Sequence, residues 1–388
     1  MTDSFLIYGP PVVDIGLGSS NNIGRYIRSF DCSKVLVVSD AGIQQAGLTG
    51  EVEGILQNAH IGYRCFTDIE PEPSIATVDR CLTYALEEGI DGIVAVGGGS
   101  VIDVAKSVAI CCKGEENVRA FLGFDKVKAP GIRTVVIPTT SGTGSEASMS
   151  AVLTDERNNT KTAVWSRYVV PDVAVIDPQM TRSMPPSVTA DTGADALSHA
   201  VEAYVSLRSN TITDMYARAA LAIIGSCFKS AYDNGDDLFV RQKMAEASYL
   251  AGMAFSNCGL GAGHALAYPF TMRYGHSHGR ANAIILPAVM RYNCEAAQEK
   301  YRDIAAALGE DLTGLTARDA ALRAPRAVED LLNGVDIATR ISQYGIGEDD
   351  LQAMAEVAVT KGQRLLVTNP REVTIGDAVA IYEDAYRR

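Results

Sequence analysis

The chain is poor in the features that mark membrane-spanning, disulfide-stapled or nucleic-acid-binding proteins. No stretch of its 388 residues approaches the ~20 consecutive apolar positions needed to cross a bilayer, which excludes a membrane-spanning helix. Its eight cysteines are scattered, with no Cys-x-x-Cys pair, so they form neither a disulfide framework nor a zinc knuckle and are expected to be free thiols or small buried hydrophobes. Basic residues are outnumbered, 34 against 47 acidic, and a net charge of −13 sets the surface against phosphate backbones and anionic lipid. Nucleic acid and membrane are therefore not expected partners. The opening Met1-Thr2-Asp3-Ser4-Phe5 lacks the basic-then-apolar pattern of a secretory leader, so a cytoplasmic address is expected. Low-complexity tracts and internal repeats are also missing.

What is present is an ordinary globular composition, 47% hydrophobic and 21% charged, in a chain long enough for two domains. Val35–Val38, Gly92–Val96, Thr134–Ile137 and Val173–Ile176 are continuous β-branched or apolar runs separated by helical stretches. Continuous rather than alternating runs are what a parallel sheet covered on both faces requires. The first half is thus predicted to be α/β. Beyond Pro185-Pro186 the β-branched runs thin out, and Ala-rich segments at 187–206, 212–230 and 238–256 predict an all-α second half. The expected division is residues 1–183 and 184–388.

Two small-residue turns follow predicted strands. Gly97-Gly98-Gly99-Ser100 opens a helix, where close backbone approach and unpaired amides suit a diphosphate; a tight turn with Ser100 as N-cap is the alternative. Pro138–Glu146 is dense in hydroxyls suited to ribose and phosphate oxygens, or else a capped helix start with Glu146 in its first turn. Asp40, after the first strand, is placed to accept hydrogen bonds from an adenosine ribose and to repel a 2′-phosphate, favouring NAD over NADP. The alternative is a simple turn residue.

Histidines number five, at 60, 199, 264, 276 and 278. Asp195 and His199 share one face of a predicted helix. His264, His276 and His278 stand among glycines and alanines that leave room for something bulky. If Asp195, His199 and His264 converge with His278 or its competitor His276, they make a three-imidazole, one-carboxylate site suited to Fe²⁺ or Zn²⁺. His60 is expected to be an ordinary surface or packing residue.

Taken together, Gly97–Ser100 with Asp103 and Lys106, the Pro138–Ser148 turn, the block from Asp195 to Glu202 and the His264–Ala283 segment resemble the iron-containing (group III) alcohol dehydrogenases over essentially the whole chain. The resemblance implies a dehydroquinate synthase-like fold, with a Rossmann-like N-terminal domain, a helical metal-binding C-terminal domain and a cleft holding NAD(P) and divalent iron. It implies Asp195, His199, His264 and His278 as metal ligands, and cofactor contacts from Asp40, Gly98, Gly99, Ser100, Asp103, Thr139, Thr140, Thr143 and Lys161. Tyr268 stands where many members carry a histidine cast as a proton relay, so Tyr268 and Lys161 are the candidate catalytic residues. Pro71-Glu72-Pro73 replaces a common Pro-Asn-Pro. A homo-oligomer is expected.

The expected reaction is NAD(H)-linked interconversion of a small primary alcohol and an aldehyde. Arg273 and Arg280, flanking the last two ligands, could receive an anionic tail, or could be solvated or paired to acids. The competing readings are a dehydroquinate synthase-like lyase and a non-catalytic metal- or nucleotide-binding protein.

Overall fold

The computed structural model describes residues 4–387 except 115 and 159. It divides into two compact units, Met1–Met184 and Pro185–Arg388.

The first unit is built on a six-stranded parallel sheet. Its strands are β1 (Val12–Ile15), β2 (Lys34–Val38), β3 (Gly62–Phe66), β4 (Gly92–Gly97), β6 (Arg133–Pro138) and β9 (Val173–Ile176), in the spatial order β1-β9-β6-β4-β2-β3. A smaller sheet holds β5 (Gly123–Phe124), β7 (Ser150–Asp155) and β8 (Thr160–Trp165), with β7 and β8 antiparallel. The four apolar runs read from the sequence are the inner strands. Val35, Val37, Val94, Val96, Val135 and Ile137 pack on one face beneath the helices Ile23–Ser29 and Leu48–Asn58. Leu36, Val38, Ile93, Ala95 and Val136 pack on the other, beneath Ile75–Glu87 and Gly99–Cys111. Burial of both faces removes any reason for polar alternation. The edge strands β1 and β3 are half exposed and carry Asp14, Tyr63 and Arg64, so they lack the continuous apolar signature.

After β2 the chain builds β3 on one side and then crosses to build β4 on the other, so the strand order reverses between β2 and β4. Crevices at such reversals, outside the carboxyl ends of the strands, are the sites open α/β sheets offer to ligands.

The second unit is helical. Pro186–Val205, Thr211–Asp233 and Leu238–Cys258 occupy the three Ala-rich segments and pack around Leu197, Val201, Leu221 and Phe228. A second core gathers Ala262–Tyr274, Leu351–Leu366 and Ile375–Arg387 around Leu266, Phe270 and Tyr382. The helix His278–Asn293 serves both cores, through Ala283, Leu286 and Met290 on one side and Ile284, Ile285 and Val289 on the other. Among the described residues no helix is long and apolar enough to cross a membrane. All eight cysteines are free.

Candidate metal centre and nucleotide-binding turns

Asp195 and His199 lie one turn apart on the helix Pro186–Val205, His264 in the first turn of Ala262–Tyr274, and His278 at the start of His278–Asn293. The ligand atoms of all four lie within 4.8 Å of one another. Asp195 Oδ1 sits 3.8 Å from His199 Nε2, 3.9 Å from His264 Nε2 and 3.7 Å from His278 Nε2. Donor atoms each ~2.1 Å from one ion stand about 3–4 Å apart, so this set fits a divalent cation. The His199 ring stacks between Phe255 and His264, at 4.4 and 4.8 Å between centroids. His278 is half exposed while the other three are buried, which makes its side the open one.

The electrostatics suit the same use. Burial pushes His199 down to about 4, against the pull of Asp195, so its imidazole is neutral and offers a lone pair at neutral pH. Burial works against the Asp195 carboxylate, but the imidazoles of His199, His278 and His264 hold it below the usual range. For His264, burial is outweighed by Glu202, which raises it. Glu202 Oε2 meets His264 Nδ1, and Oε1 accepts from the Gly263 amide at 2.5 Å. A carboxylate on Nδ1 fixes the tautomer and aims Nε2 at the other donors.

The glycines of these segments have a different purpose from the one the sequence suggested. A Cβ on Gly279 would meet the Asp191 carbonyl oxygen at 2.0 Å, and one on Gly263 would meet Glu202 Oε1 at 2.7 Å. They permit helix-to-helix approach and entry of Glu202, rather than room for a ligand. His276 stands apart from the cluster, its ring edge-on to Tyr344 at 5.0 Å, and burial lowers its pKa. His60 is exposed. Tyr268 is half buried one helical turn after His264. Arg273 is paired with Asp350 at 2.6 Å and Arg280 with Asp191 at 2.7 Å, so both guanidiniums are paired to acids.

In the first unit, Asp40, the Gly98–Ser100 turn and the Thr139–Thr143 turn follow the carboxyl ends of β2, β4 and β6, which are neighbours in the sheet. Gly98, not Ser100, is the N-cap of Gly99–Cys111, and no side chain caps that helix, so its leading amides carry no side-chain acceptor. Ser100 Oγ instead accepts from the Glu72 amide at 3.3 Å. The glycines let the two turns touch: a Cβ on Gly99 would meet Thr143 at 2.8 Å. The Thr139–Ser148 segment forms no helix and leads into β7, contrary to the capped-helix alternative. Thr139 Oγ1 and Ser141 Oγ are buried hydroxyls with no hydrogen-bond partner among the described residues. Asp40 Oδ1 caps the helix Ala41–Gln45 through the Ile43 amide at 2.9 Å.

Two members of the expected cofactor set are turned elsewhere. Asp103 is buried, with Oδ2 accepting from the Val152 amide of β7 at 2.9 Å, and Lys161 Nζ lies 3.2 Å from Glu72 Oε2. Lys106 donates to the carbonyls of Ser145, Ser148 and Ser150 and ties the hydroxyl-rich turn to β7. Sequence reasoning gave no role to Glu202 or Asn282, although both have a findable signal. Glu202 is three residues after His199 on one helix, and Asn282 four after His278 on another, spacings that put each on its ligand's face.

A parallel sheet with paired glycine and threonine turns in one unit, and a buried carboxylate-imidazole donor set in the other, define a nucleotide- and metal-dependent class of enzyme. Comparison with known proteins gives the family. The model "Iron-containing alcohol dehydrogenase" matches residues 10–178, and "Fe-containing alcohol dehydrogenase family, C-terminal" matches 189–386. The chain is 36% identical over 380 residues to long-chain-alcohol dehydrogenase 1 of Geobacillus thermodenitrificans, covering 97% of this chain and 95% of that one. A crystal structure of 1,3-propanediol oxidoreductase superposes with a TM-score of 0.96 at 36% identity, covering 99% and 100% of the two chains. Sulfoacetaldehyde reductase from Bifidobacterium kashiwanohense, solved in complex with NAD⁺, gives 0.89 at 26% identity over 100% of both. The chain belongs to the iron-containing alcohol dehydrogenase family and is an oxidoreductase of that family.

Proposed function

We propose that this chain is an iron-dependent, NAD(H)-linked enzyme interconverting a small primary alcohol and an aldehyde, with Asp195, His199, His264 and His278 as metal ligands. The carrying observation is the equal approach of three imidazole nitrogens, 3.7–3.9 Å, to one buried carboxylate oxygen. When bound, iron supplies Lewis acidity toward the substrate oxygen, and NAD(H) accepts or supplies the hydride.

The chain's own residues do the rest. Neutral His199 and Glu202-oriented His264 present lone pairs, and Asp195 adds the one negative charge. Phe255, stacked on His199, keeps water from the buried side, while half-exposed His278 leaves a small substrate an approach. Tyr268, one turn after His264, is the residue we assign to carrying the hydroxyl proton. In the first unit the uncapped amides at Gly98, Gly99 and Ser100 and the hydroxyls of Thr139, Thr140 and Thr143 receive the diphosphate and ribose. Asp40 selects NAD by repelling a 2′-phosphate. Lys161 serves from β8 by exchanging Glu72 for the cofactor, and Asp103 acts indirectly, by holding β7 through the Val152 amide. Zinc is the alternative metal. The reading further takes 1–183 as the cofactor domain and 184–388 as the metal domain of a cytoplasmic homo-oligomer.

The test is NADH oxidation by iron-loaded protein over a panel of short aldehydes. Turnover that disappears on chelation and returns with Fe²⁺ is expected. Bound metal and NAD with no turnover across the panel would overturn the reading in favour of a binding protein, and NAD recycled without net oxidation would favour a lyase.

A further inference from the structure

The four converging side chains are not fixed in the same way. Asp195, His199 and His264 are buried; His199 stacks on Phe255, and His264 is aimed by Glu202. The side chain of His278 is 52% exposed and stands in the first position of its helix, so burial restricts it far less, and ordering it on a cation costs more rotamer freedom. Its neighbours in sequence converge on one carboxylate. Ser277 Oγ donates to Asp191 Oδ2, and Arg280 Nε donates to Asp191 Oδ1 at 2.7 Å. Between them Gly279 packs so closely that a Cβ would meet the Asp191 carbonyl oxygen at 2.0 Å. Asp191 therefore touches residues on both sides of His278, and it stands one turn before Asp195 on the helix that carries two of the four donors. Ser277 adds a second observation. It is the N-cap of His278–Asn293, where a serine hydroxyl ordinarily accepts from the leading amides of its own helix, and it makes no such bond. Its hydroxyl is committed to Asp191 instead.

We propose that Asp191 is the positioning residue of His278: it latches the turn 277–280 to the helix of Asp195 and so keeps the exposed imidazole directed at the cation. This rests on the metal reading of the site given above. Asp191 touches neither cation nor substrate; it acts through Ser277, Gly279 and Arg280. The Arg280 guanidinium is anchored in turn by the Asp336 carbonyl at 3.2 Å, so the latch has a fixed far end. Glu202 does the corresponding work for His264, by direct contact with its ring. An Asp–Arg pair with no such role would contribute little at a partly exposed site, and its loss would leave metal affinity where it was.

The experiment is a double-mutant cycle on the full-length protein, read as Zn²⁺ affinity in competition with a chromophoric chelator. Zn²⁺ is the probe because it binds nitrogen and oxygen donors more tightly than Fe²⁺ and is held by three protein ligands in many sites, so binding stays measurable without His278. Asp191→Ala is expected to lower affinity about tenfold. His278→Ala should lower it further, and the double variant should bind no more weakly than His278→Ala alone, because the latch has then lost the side chain it serves. Asp191→Asn, which keeps the shape and one acceptor, is read by the same two criteria and guards against misfolding of the alanine variant. Wild-type affinity in Asp191→Ala overturns the proposal. The same fold-loss from Asp191→Ala with His278 present or absent overturns it as well, because the carboxylate then supports the fold or the other donors rather than His278. Wild-type protein that takes up no divalent ion is a separate outcome, and overturns the metal reading on which the proposal stands.

Discussion

Each unit buries a knot of ionisable side chains, and the two differ in where the positive charge comes from. In the first, Lys106 Nζ donates to three carbonyl oxygens, of Ser145, Ser148 and Ser150, at 2.9, 2.8 and 2.6 Å, and lies 3.9 Å from Asp103 Oδ1. Burial pulls Lys106 down to about 8, raises Asp103, and raises Glu146 to about 7. In the second, Asp195 faces three imidazoles and an amide, and stays below the ordinary carboxylate range although it is equally buried. The first knot carries its own cation, and the donor hydrogens of that cation are used up by the backbone. The second is a convergence of acceptors. Perturbed titration alone would flag both as functional; the surplus of inward-facing lone pairs separates a metal centre from an internal brace.

That contrast can be broken at several points. The largest effect is expected for His264→Ala, which removes one of the converging acceptors. Iron retention should fall to background and kcat/KM by at least ~10³, read from metal content and NADH oxidation, with the melting temperature of the first unit unchanged. Next comes Lys106→Met, which removes the charged donor shared by three buried carbonyls and should cost about 3 kcal/mol in chemical denaturation of the first unit. Metal content is expected to stay at the wild-type level; its loss would mean that the brace and the centre are one system. Glu202→Gln keeps the shape but removes the charge that fixes the His264 tautomer, and should weaken Fe²⁺ binding about 10–100-fold in a competition titration.

The smallest effect concerns pH. Glu146 is raised by burial from 4.5 to about 7, so between those values the folded chain keeps a proton that the unfolded chain has shed. Its contribution to stability is complete below pH 4.5 and is lost as pH rises through about 7. Glu146→Gln should remove this slope, about 2 kcal/mol between pH ~5 and ~7, in denaturation midpoints followed across that range. Midpoints with the same slope in wild type and variant would show that the carboxyl titrates normally.

Much of the fold was legible because burial writes itself into composition. The inner strands, apolar on both faces, and the three Ala-rich helices stand out in the sequence. The edge strands β1 and β3 did not, because a half-exposed strand mixes polar and apolar residues as a loop does. The hairpin β7–β8 was hidden by a hydroxyl-rich approach that reads equally as a helix cap; in the structure Lys106, reaching Ser150, and Asp103, accepting from the Val152 amide, hold β7 in place. At the site, Asp195, His199 and His264 could be named from residue type and spacing, and the family resemblance chose His278 over His276. Distances beyond one helix could not, since the approach of His264 and His278 to Asp195 depends on close packing that Gly279 and Gly263 permit. The glycines were visible and their purpose was not. The ion pairs of Arg273 and Arg280 were hidden for a similar reason: their partners, Asp350 and Asp191, are remote in sequence.

The most direct test of the account is the iron content of wild type and Asp195→Ala after anaerobic loading with Fe²⁺ and removal of unbound ion. The account predicts about one iron per wild-type chain and background levels in the variant. Equal retention by the two proteins would contradict it, because the oxygen that all three imidazoles approach would then play no part in holding the metal.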